Sequence, residues 1–298
     1  MIVIGVDAGG TQTHAALAQD GTRVRDARGP AANPSTLGVD AAAAAIVATI
    51  GQVLGGAAAD AIHVGAAGAG RASVADALCA RIGDAFPGAR VQVGDDAAIA
   101  LRAAIPDGDG AVLIAGTGSI AYAERGAASF RLGGLGWIAG DEGAAFWIGL
   151  QAVKLYGRVL DGRAPRDETS DLVARELDAP DRDRYLDALY GAPLQPARFA
   201  ALAPSIIASA GAGNRAATKI VQAAGQELGE LAKGVLRSAG LLDARPRIAL
   251  AGGLFRENSL LSFLVETRLN GDVPGVGIVK GGDEPVYGAL RLAERAAR

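Results

Sequence analysis

The chain has 298 residues, a length that favours two domains over a single hydrophobic core. Half of the residues are hydrophobic (50%), 20% are charged and the mean hydropathy is +0.24, which is the composition of a folded globular protein and excludes disorder as its main state. Lysine and arginine number 29 against 32 aspartates and glutamates, so the net charge of −3 provides no broad basic surface for nucleic acid.

The first hundred residues predict strands that alternate with helices. Short apolar runs end in turn residues near Asp7 and Asp20, which favours a β-hairpin or meander at the start of the chain. Apolar residues at helical spacing then alternate with short buried runs, an order that predicts an α/β layer architecture. The predicted strands are 2–6, 15–18, 62–65 and 91–93, and the predicted helices are 41–54, 73–82 with Ser73 as its cap, and 97–104.

The same pattern begins again after residues 106–110, a stretch of proline, aspartate and glycine that is typical of a linker. An apolar run ends in a glycine turn and leads into a second meander, so we expect a weak internal duplication with the domain boundary after residue 106. The predicted elements of this half are strands at 111–115 and 248–251, helices at 143–156 and 216–241, and a last helix that begins at Pro285.

The counts of cysteine and histidine limit the possible disulfides and metal sites, and the hydropathy indicates whether a membrane span or leader is present. The single cysteine, Cys79, can form no internal disulfide, zinc site or iron–sulfur cluster, and His14 and His63 are too few for a metal cluster, so we expect structural roles for both. No run reaches about 18 apolar residues, and the first residues lead into Asp7 without a basic leader. We expect a cytoplasmic protein without a signal peptide or membrane span.

Three glycine turns follow predicted strands. Glycine lets backbone N–H groups approach an anion closely, which suits phosphate, and Asp7 before the first turn would hold magnesium through water. Each turn alone is equally well explained as a plain hairpin or loop, whereas three together favour a nucleotide site. No Walker or dinucleotide-binding glycine motif is present. The turns are Gly9-Gly10-Thr11, Gly116-Thr117-Gly118-Ser119 and Gly252-Gly253.

Two acidic segments precede predicted helices. Asp95 and Asp96 follow a strand and begin a helix, a place that suits a general base facing a cleft, although one of them is expected to be the helix cap. Asp141 and Glu142 end a glycine-rich segment that could wrap a hydroxyl-rich ligand or could be a capped loop. Trp137, in the same segment, either lines a ligand pocket or plugs it.

Several of these segments resemble known motifs. Residues 6–13 (VDAGGTQT) and 115–119 (AGTGS) resemble the two phosphate motifs of the sugar kinase, Hsp70 and actin superfamily, and residues 250–253 (LAGG) resemble its adenosine motif. Residues 140–149 (GDEGAAFWIG) are more specific and resemble the branch that holds N-acetylglucosamine kinases and the BadF/BadG/BcrA/BcrD ATPases. The resemblance extends from residue 2 to about residue 292.

The resemblance implies a two-lobed, actin-like ATPase fold, an α/β architecture of duplicated ribonuclease H-like domains with a central cleft. The N-terminal lobe would be residues 1–106 joined by the C-terminal helix 284–298, and residues 107–283 would form the C-terminal lobe. Related activators with a shared iron–sulfur cluster need two cysteines in each subunit, and the related ROK kinases carry a cysteine-rich zinc motif. A chain with one cysteine fits neither of these.

The resemblance also implies roles for single residues. Asp96 would be the catalytic base and Asp7 would orient the metal. The sugar would be bound by Asn33, Asp96, Ser119, Ile120, Gly134, Leu135, Gly136 and Asp141, and the nucleotide by Gly9, Gly10, Thr11, Gly116, Thr117, Gly118, Gly252 and Gly253. Ile120 stands where vertebrate-type N-acetylglucosamine kinases have a polar residue, and Pro34-Ser35 replaces a His-Trp pair, so the exact sugar stays open.

The implied activity is phosphorylation of the C6 hydroxyl of an amino sugar, N-acetylglucosamine or glucosamine, with ATP and Mg²⁺ as cofactors. A kinase of N-acetylmuramic acid or glucose is the alternative enzyme. A sugar or nucleotide sensor without turnover is the alternative from another class, but a sensor has no need of a base such as Asp96. The expected partners are the amino sugar and ATP, without nucleic acid or membrane, and a homodimer is one state that the resemblance allows.

Overall fold

The computed structural model describes residues 1–193, 195–255 and 259–298. The first elements are β1 (Ile2–Ala8), β2 (Gln12–Gln19), β3 (Thr22–Pro30), α1 (Pro34–Leu37), α2 (Val39–Leu54), β4 (Ala61–Ala66), α3 (Ala72–Ala85), β5 (Arg90–Asp95) and α4 (Asp96–Ala104). They are followed by β6 (Gly110–Ala115), β7 (Ser119–Arg125), β8 (Ala128–Gly133), α5 (Ala145–Leu160), α6 (Glu168–Glu176), α7 (Arg182–Tyr190), α8 (Pro196–Ala200), α9 (Ala203–Gly211), α10 (Arg215–Ser238), β9 (Arg247–Ala251), α11 (Leu260–Asp272), β10 (Gly277–Lys280) and α12 (Pro285–Ala297).

The chain divides into two compact units, Met1–Gly108 with Gly281–Arg298, and Asp109–Lys280. Each unit contains one five-stranded mixed sheet, with the strand orders β3-β2-β1-β4-β5 and β8-β7-β6-β9-β10. The first three strands of each sheet are antiparallel because short turns join them, and the other two are parallel because helical crossovers precede them. The repeated order confirms the duplicated α/β fold.

The core of the first unit is built from small and branched aliphatic residues on both faces of its sheet. Ile4 and Val6 of β1 pack against α2 on one face, and Val3 packs with Leu290 of α12 on the other. Gly5 makes this second contact close, since a Cβ there would lie 2.6 Å from the Val286 carbonyl oxygen. The C-terminal helix therefore belongs to the sheet that carries the first glycine turn.

The core of the second unit joins the sheet to its helices. Alternate residues of β6 and β7 are buried against α5 and the long helix α10, whose buried residues include Val221, Leu228 and Val235. Among the described residues, the largest fully buried side chain is that of Tyr156 in α5, which donates a hydrogen bond of 2.5 Å to the Ala179 carbonyl oxygen. Throughout the described residues, the helices are too short or too polar for a bilayer crossing.

The predicted start of α3 is wrong. The helix begins at Ala72 with Arg71 as its N-cap, and no side chain caps it. The N–H groups of Val74 and Ala75 both donate to the Arg71 carbonyl oxygen, at 3.0 and 3.1 Å. Ser73 therefore lies inside the first turn, where its hydroxyl cannot fill the capping position that the sequence pattern assigns to it.

Candidate active site

Asp7 lies near the end of β1, the central strand of the first sheet, opposite His14 on β2. Burial raises the pKa of the Asp7 carboxyl, and His14 partly offsets this effect. His14 is itself only 4% exposed, with Nε2 3.2 Å from Asp26 Oδ2 and Nδ1 3.1 Å from Glu284 Oε2. A cation beside Asp7 would favour its ionised form, so this carboxylate fits a hard metal ion such as Mg²⁺.

The turn between β1 and β2 is fixed at its base and open at its tip. The Gly9 N–H donates to the Gln12 carbonyl oxygen at 3.0 Å, and the Gly9 carbonyl oxygen accepts from Ala32 N at 3.0 Å. Gly10 and Thr11 are exposed, and a Cβ added to Gly10 would meet no described atom within 4 Å. A phosphate therefore has room to approach the backbone here.

Asn33 follows β3 and is the N-cap of α1, a short helix whose first residue is the buried Pro34. The Asn33 Oδ1 atom accepts a hydrogen bond of 2.8 Å from Ser35 N. This bond fixes the side chain and commits its oxygen to the cap. The amide –NH₂ group is then the part of Asn33 that can donate to a ligand hydroxyl.

Asp95 and Asp96 lie where β5 passes directly into α4. Asp95 is the N-cap, with Oδ1 accepting a 2.9 Å hydrogen bond from Ala97 N, which confirms that one of the two acids caps the helix. Asp96 is the first residue of the helix. Burial, a hydrogen bond with Asp95 and the charges of Asp95 and Asp7 raise its pKa to about 7. A carboxyl that titrates near neutral pH is suited to accept a proton.

The turn between β6 and β7 holds the second set of glycines. The Gly116 N–H donates to the Gly118 carbonyl oxygen at 2.9 Å. The Gly116 carbonyl oxygen accepts from Ala145 N at 2.9 Å, and that of Thr117 accepts from Phe146 N at 3.2 Å. These bonds satisfy N–H groups in the first turn of α5, so the helix end holds the glycine turn in place.

Asp141 is tied to this turn by its side chain. Its Oδ1 accepts a 3.0 Å hydrogen bond from Ser119 N, and a Cβ added to Gly118 would lie 2.6 Å from its Oδ2. The Ser119 hydroxyl donates to the Glu142 carbonyl oxygen at 3.1 Å. Burial raises the pKa of the Asp141 carboxyl and the Ser119 N–H opposes that rise. Asp141 has φ 60°, an unfavourable backbone conformation for a residue with a side chain, and these hydrogen bonds hold it there.

The glycine-rich loop after β8 begins beside the same turn. Gly134 N donates to the Ser119 carbonyl oxygen at 2.8 Å, and a Cβ on Gly134 would lie 3.3 Å from Ile120 Cδ1. Gly134 and Gly136 have φ 63° and 81°, and Leu135 between them is exposed. The structure thus brings together Ser119, Ile120 and Gly134, which the sequence predicts for the sugar.

The third glycine turn follows β9. Leu254 N donates to the Ala115 carbonyl oxygen at 3.1 Å, and Gly252, with φ 97°, packs against the backbone of Ala115. A side chain at Gly252 would collide with that backbone, so this position needs glycine. Gly253 is exposed beside it. Since Ala115 leads directly into Gly116, the second and third glycine turns adjoin within the second unit.

The sequence does not reveal the charged cluster around His14. Asp26 on β3 and Glu284, the N-cap of α12, both contact the imidazole, and Arg28 Nη2 pairs with Glu284 Oε2 at 3.1 Å. The only available signal is the alternation of charged residues at 23–28, which is typical of an exposed strand. The alternation does not indicate that a residue more than 250 positions away completes the cluster.

The BadF/BadG/BcrA/BcrD ATPase family has a sequence profile that matches residues 4–293. The chain belongs to this family. Among its relatives, an N-acetylmuramic acid/N-acetylglucosamine kinase of Clostridium acetobutylicum is 27% identical over 237 residues, which are 78% of this chain and 76% of that protein. The glucosamine kinase GspK of Vibrio cholerae is 33% identical over 176 residues, or 57% and 59% of the two chains.

Solved structures of similar fold include a proposed N-acetylglucosamine kinase from Chromobacterium violaceum. It superimposes with a TM-score of 0.75 at 28% identity and covers 98% of both chains. A ROK family glucokinase from Streptomyces griseus, in complex with glucose and AMPPNP, has a TM-score of 0.57 at 20% identity and covers 99% of this chain and all (100%) of the other. These likenesses confirm the two-domain, actin-like fold for this BadF/BadG/BcrA/BcrD family member.

Proposed function

We propose that this protein is an ATP-dependent kinase that transfers a phosphoryl group to the C6 hydroxyl of an amino sugar, N-acetylglucosamine or glucosamine. The observation that carries the proposal is Asp96, a half-buried carboxyl at the start of α4 with a pKa of about 7 and Asp7 nearby. A carboxylate with this pKa can take a proton from a hydroxyl at neutral pH. The names of the relatives supply the substrate class.

Phosphoryl transfer does not require a covalent bond between the protein and the substrate. Phosphoryl transfer passes through a loose transition state, so catalysis depends on positioning and on stabilising charge. Asp96 would hold the sugar hydroxyl and accept its proton as the hydroxyl oxygen attacks the γ-phosphorus, while the bond from that phosphorus to the β,γ-bridging oxygen breaks and ADP leaves. Gly10, at the open tip of the first glycine turn, would donate its backbone N–H to a phosphate of the nucleotide. Gly116 and Gly253 have open space where a side chain would stand, so the nucleotide could approach the other two turns closely.

Magnesium is the cofactor that this chemistry implies. When bound, Mg²⁺ would neutralise negative charge on the phosphates of ATP. Asp7 fits the ion because one carboxylate, acting through water, is enough when phosphates supply further oxygen ligands. Desolvation of Asp7 also makes a nearby positive charge favourable.

The sugar would be bound by groups that the fold already holds in place. The Asn33 amide would donate to a hydroxyl, since its oxygen is committed to the helix cap. The Asp141 carboxylate, fixed by Ser119, would accept from another hydroxyl. Ile120 and the loop 134–136 would line the sugar with an apolar side chain and backbone groups.

A kinase of N-acetylmuramic acid is the second candidate function. The observation that favours it is the name of the Clostridium acetobutylicum relative, which pairs N-acetylmuramic acid with N-acetylglucosamine. In that case the same proposed residues would act on a sugar with a larger substituent. A comparison of the rates for the two sugars separates the two candidates.

A coupled assay of ADP release tests the proposed activity with N-acetylglucosamine, glucosamine, N-acetylmuramic acid and glucose, each against a reaction without sugar. Sugar-dependent ADP release is the expected result, and phosphorus NMR of the product should identify a 6-phosphate. Sugar binding measured by calorimetry without any ADP release would favour a sensor over a kinase. A phosphate on the C1 oxygen would contradict the assignment of the acceptor.

A further inference from the structure

An apolar cluster is exposed in the loop between β8 and α5. Leu135, Trp137 and Ile138 are 70%, 41% and 82% exposed, within four consecutive positions. Scattered apolar residues on a surface need no explanation, whereas a contiguous group beside polar residues is typical of a binding site. Glycines 133, 134, 136 and 140 flank these residues along the chain, and none of the four is buried, so the backbone of the loop is partly exposed as well.

Trp137 differs from its two neighbours because the core holds its ring. The indole packs against Phe146, with ring centroids 5.5 Å apart and planes inclined by 59°. Phe146 in turn packs edge-on against Phe199, at 5.7 Å. Both phenylalanines are buried, so one part of the indole is anchored while another part faces solvent. A ligand could bind this exposed part at little cost in side-chain entropy.

The loop keeps Trp137 near the groups that we propose for the sugar. Gly134, bonded to the Ser119 carbonyl oxygen, lies three positions before Trp137, and Asp141, bonded to Ser119 N, lies four positions after it. Ala139 N donates to the Gly136 carbonyl oxygen at 3.3 Å, so the loop turns at Trp137. Three residues span at most about 10 Å, so the Trp137 backbone lies within about 10 Å of Gly134.

We propose that Trp137 contacts the substrate sugar, with the C–H face of the pyranose ring packed on the exposed part of the indole. A pyranose with equatorial hydroxyls is polar at its rim and apolar on its faces. The loop has groups that match both parts of the sugar. Its glycine backbone and Asp141 can bind the hydroxyls of the polar rim, and Trp137 can pack on an apolar face. This inference rests on the proposed function, because it assumes that the loop binds a sugar.

Tryptophan fluorescence tests the contact without any need for turnover. The chain has two tryptophans, and Trp147→Phe leaves Trp137 as the only one. We expect saturating N-acetylglucosamine or glucosamine to lower acrylamide quenching of Trp137 in this variant, with binding measured in parallel by calorimetry. Sugar binding without a change in quenching would overturn the contact alone. No binding by any sugar would overturn both the contact and the proposed function.

Kinetics of matched variants separates a substrate contact from a structural anchor. Trp137→Ala should raise KM for the sugar about tenfold with little change in kcat, because the contact is with a part of the substrate that does not react. Trp137→Phe should raise the KM for the sugar by a smaller factor, and Ile138→Ala, in the same loop, should leave this KM unchanged. Equal KM values for Trp137→Ala and Ile138→Ala would overturn the proposal, as would a loss of kcat with unchanged KM.

Discussion

Asp95 and Asp96 are consecutive residues with different tasks at the start of α4. The Asp95 carboxylate accepts the Ala97 N–H at 2.9 Å and caps the helix. Asp96 is the first helical residue, and its pKa is raised to about 7, chiefly by burial and then by Asp95 and Asp7. Capping and proton transfer therefore belong to different side chains, and single substitutions can separate them.

Replacing Asp96 by Asn should lower kcat by roughly 10²- to 10⁴-fold with a smaller change in KM, because the substitution preserves shape and removes the proton acceptor. Asp95→Asn is the matched control. Asparagine is as good an N-cap as aspartate, so α4 should stay intact and kcat should fall less than about tenfold. Steady-state kinetics on both purified variants measures the difference. A larger loss of kcat in Asp95→Asn than in Asp96→Asn would reverse our assignment of the base.

The pH dependence of kcat/KM should show an acid limb near pH 7. Only the ionised Asp96 carboxylate can accept a proton, and its pKa of about 7 in the free enzyme sets the midpoint of the limb. Asp95→Asn removes a negative neighbour that raises this pKa, so the limb should move to lower pH in that variant. Rates measured from pH 5 to 9 in constant ionic strength would show the shift. A wild-type limb near pH 4 would contradict the prediction.

Asp96→Asn should also make the fold more stable at neutral and alkaline pH. The pKa of Asp96 in the folded chain is about 7, above the value of about 4 expected when unfolded, so the fold favours the protonated carboxyl. The stability that this group provides is present below about pH 4 and is lost as the pH rises through 7. We expect the melting temperature of Asp96→Asn to exceed that of wild type by at least about 2 °C at pH 8, with a smaller difference at pH 4. Asp84→Asn, at an exposed acid on α3, is the control and should give no such difference.

Replacing Asp7 by Asn should change the magnesium dependence of the reaction. The substitution keeps the size of the side chain but removes the charge that we propose to hold the ion, so half-maximal rate should need more Mg²⁺ and kcat should fall. A titration of Mg²⁺ at fixed ATP measures both effects. An unchanged titration with a reduced kcat would assign Asp7 a role other than metal binding.

The elements that the sequence predicts best are those with a strong local pattern. Strands β1, β6 and β9 are short apolar runs that end in turn residues, and both their position and the glycine turns after them are confirmed. By contrast, β3 has no apolar run because it is an edge strand with exposed, charged residues. Helix α7 likewise has no clear apolar periodicity in its sequence, since all nine of its residues are exposed or half-buried.

The site is predictable in its residue types and less so in its geometry. Asp95 and Asp96 both fit a helix cap, and only the backbone direction at the end of β5 decides that Asp95 fills it. The left-handed conformation of Asp141 has no local signature, because hydrogen bonds from the distant turn at Ser119 maintain it. The contact of Glu284 with His14 depends on the return of the C-terminal helix to the first sheet.

We expect the enzyme to discriminate only modestly between N-acetylglucosamine and glucosamine, and more strongly between these amino sugars and glucose. Few hydrogen-bond donors lie among and beside the proposed sugar contacts. Ile120 is apolar, and next to Asn33 the backbone of Pro34 has no N–H and the Ser35 N–H is already bonded to Asn33. Gaining or losing one hydrogen bond to the acyl-amino group changes the binding free energy by about 0.5–1.5 kcal/mol, which is a change in affinity of roughly 2- to 13-fold.

We therefore expect either N-acetylglucosamine or glucosamine to have the highest kcat/KM. The kcat/KM of the other amino sugar should be lower by no more than roughly 2- to 13-fold. Glucose should have a lower kcat/KM than both, because it lacks the nitrogen substituent altogether. Coupled-assay kinetics on these three sugars and N-acetylmuramic acid, at one ATP and Mg²⁺ concentration, ranks them. A preference of more than about tenfold for N-acetylmuramic acid would favour the second candidate function. The same preference for glucose would contradict the amino-sugar assignment, because the nitrogen substituent would then weaken rather than strengthen the binding of the transition state.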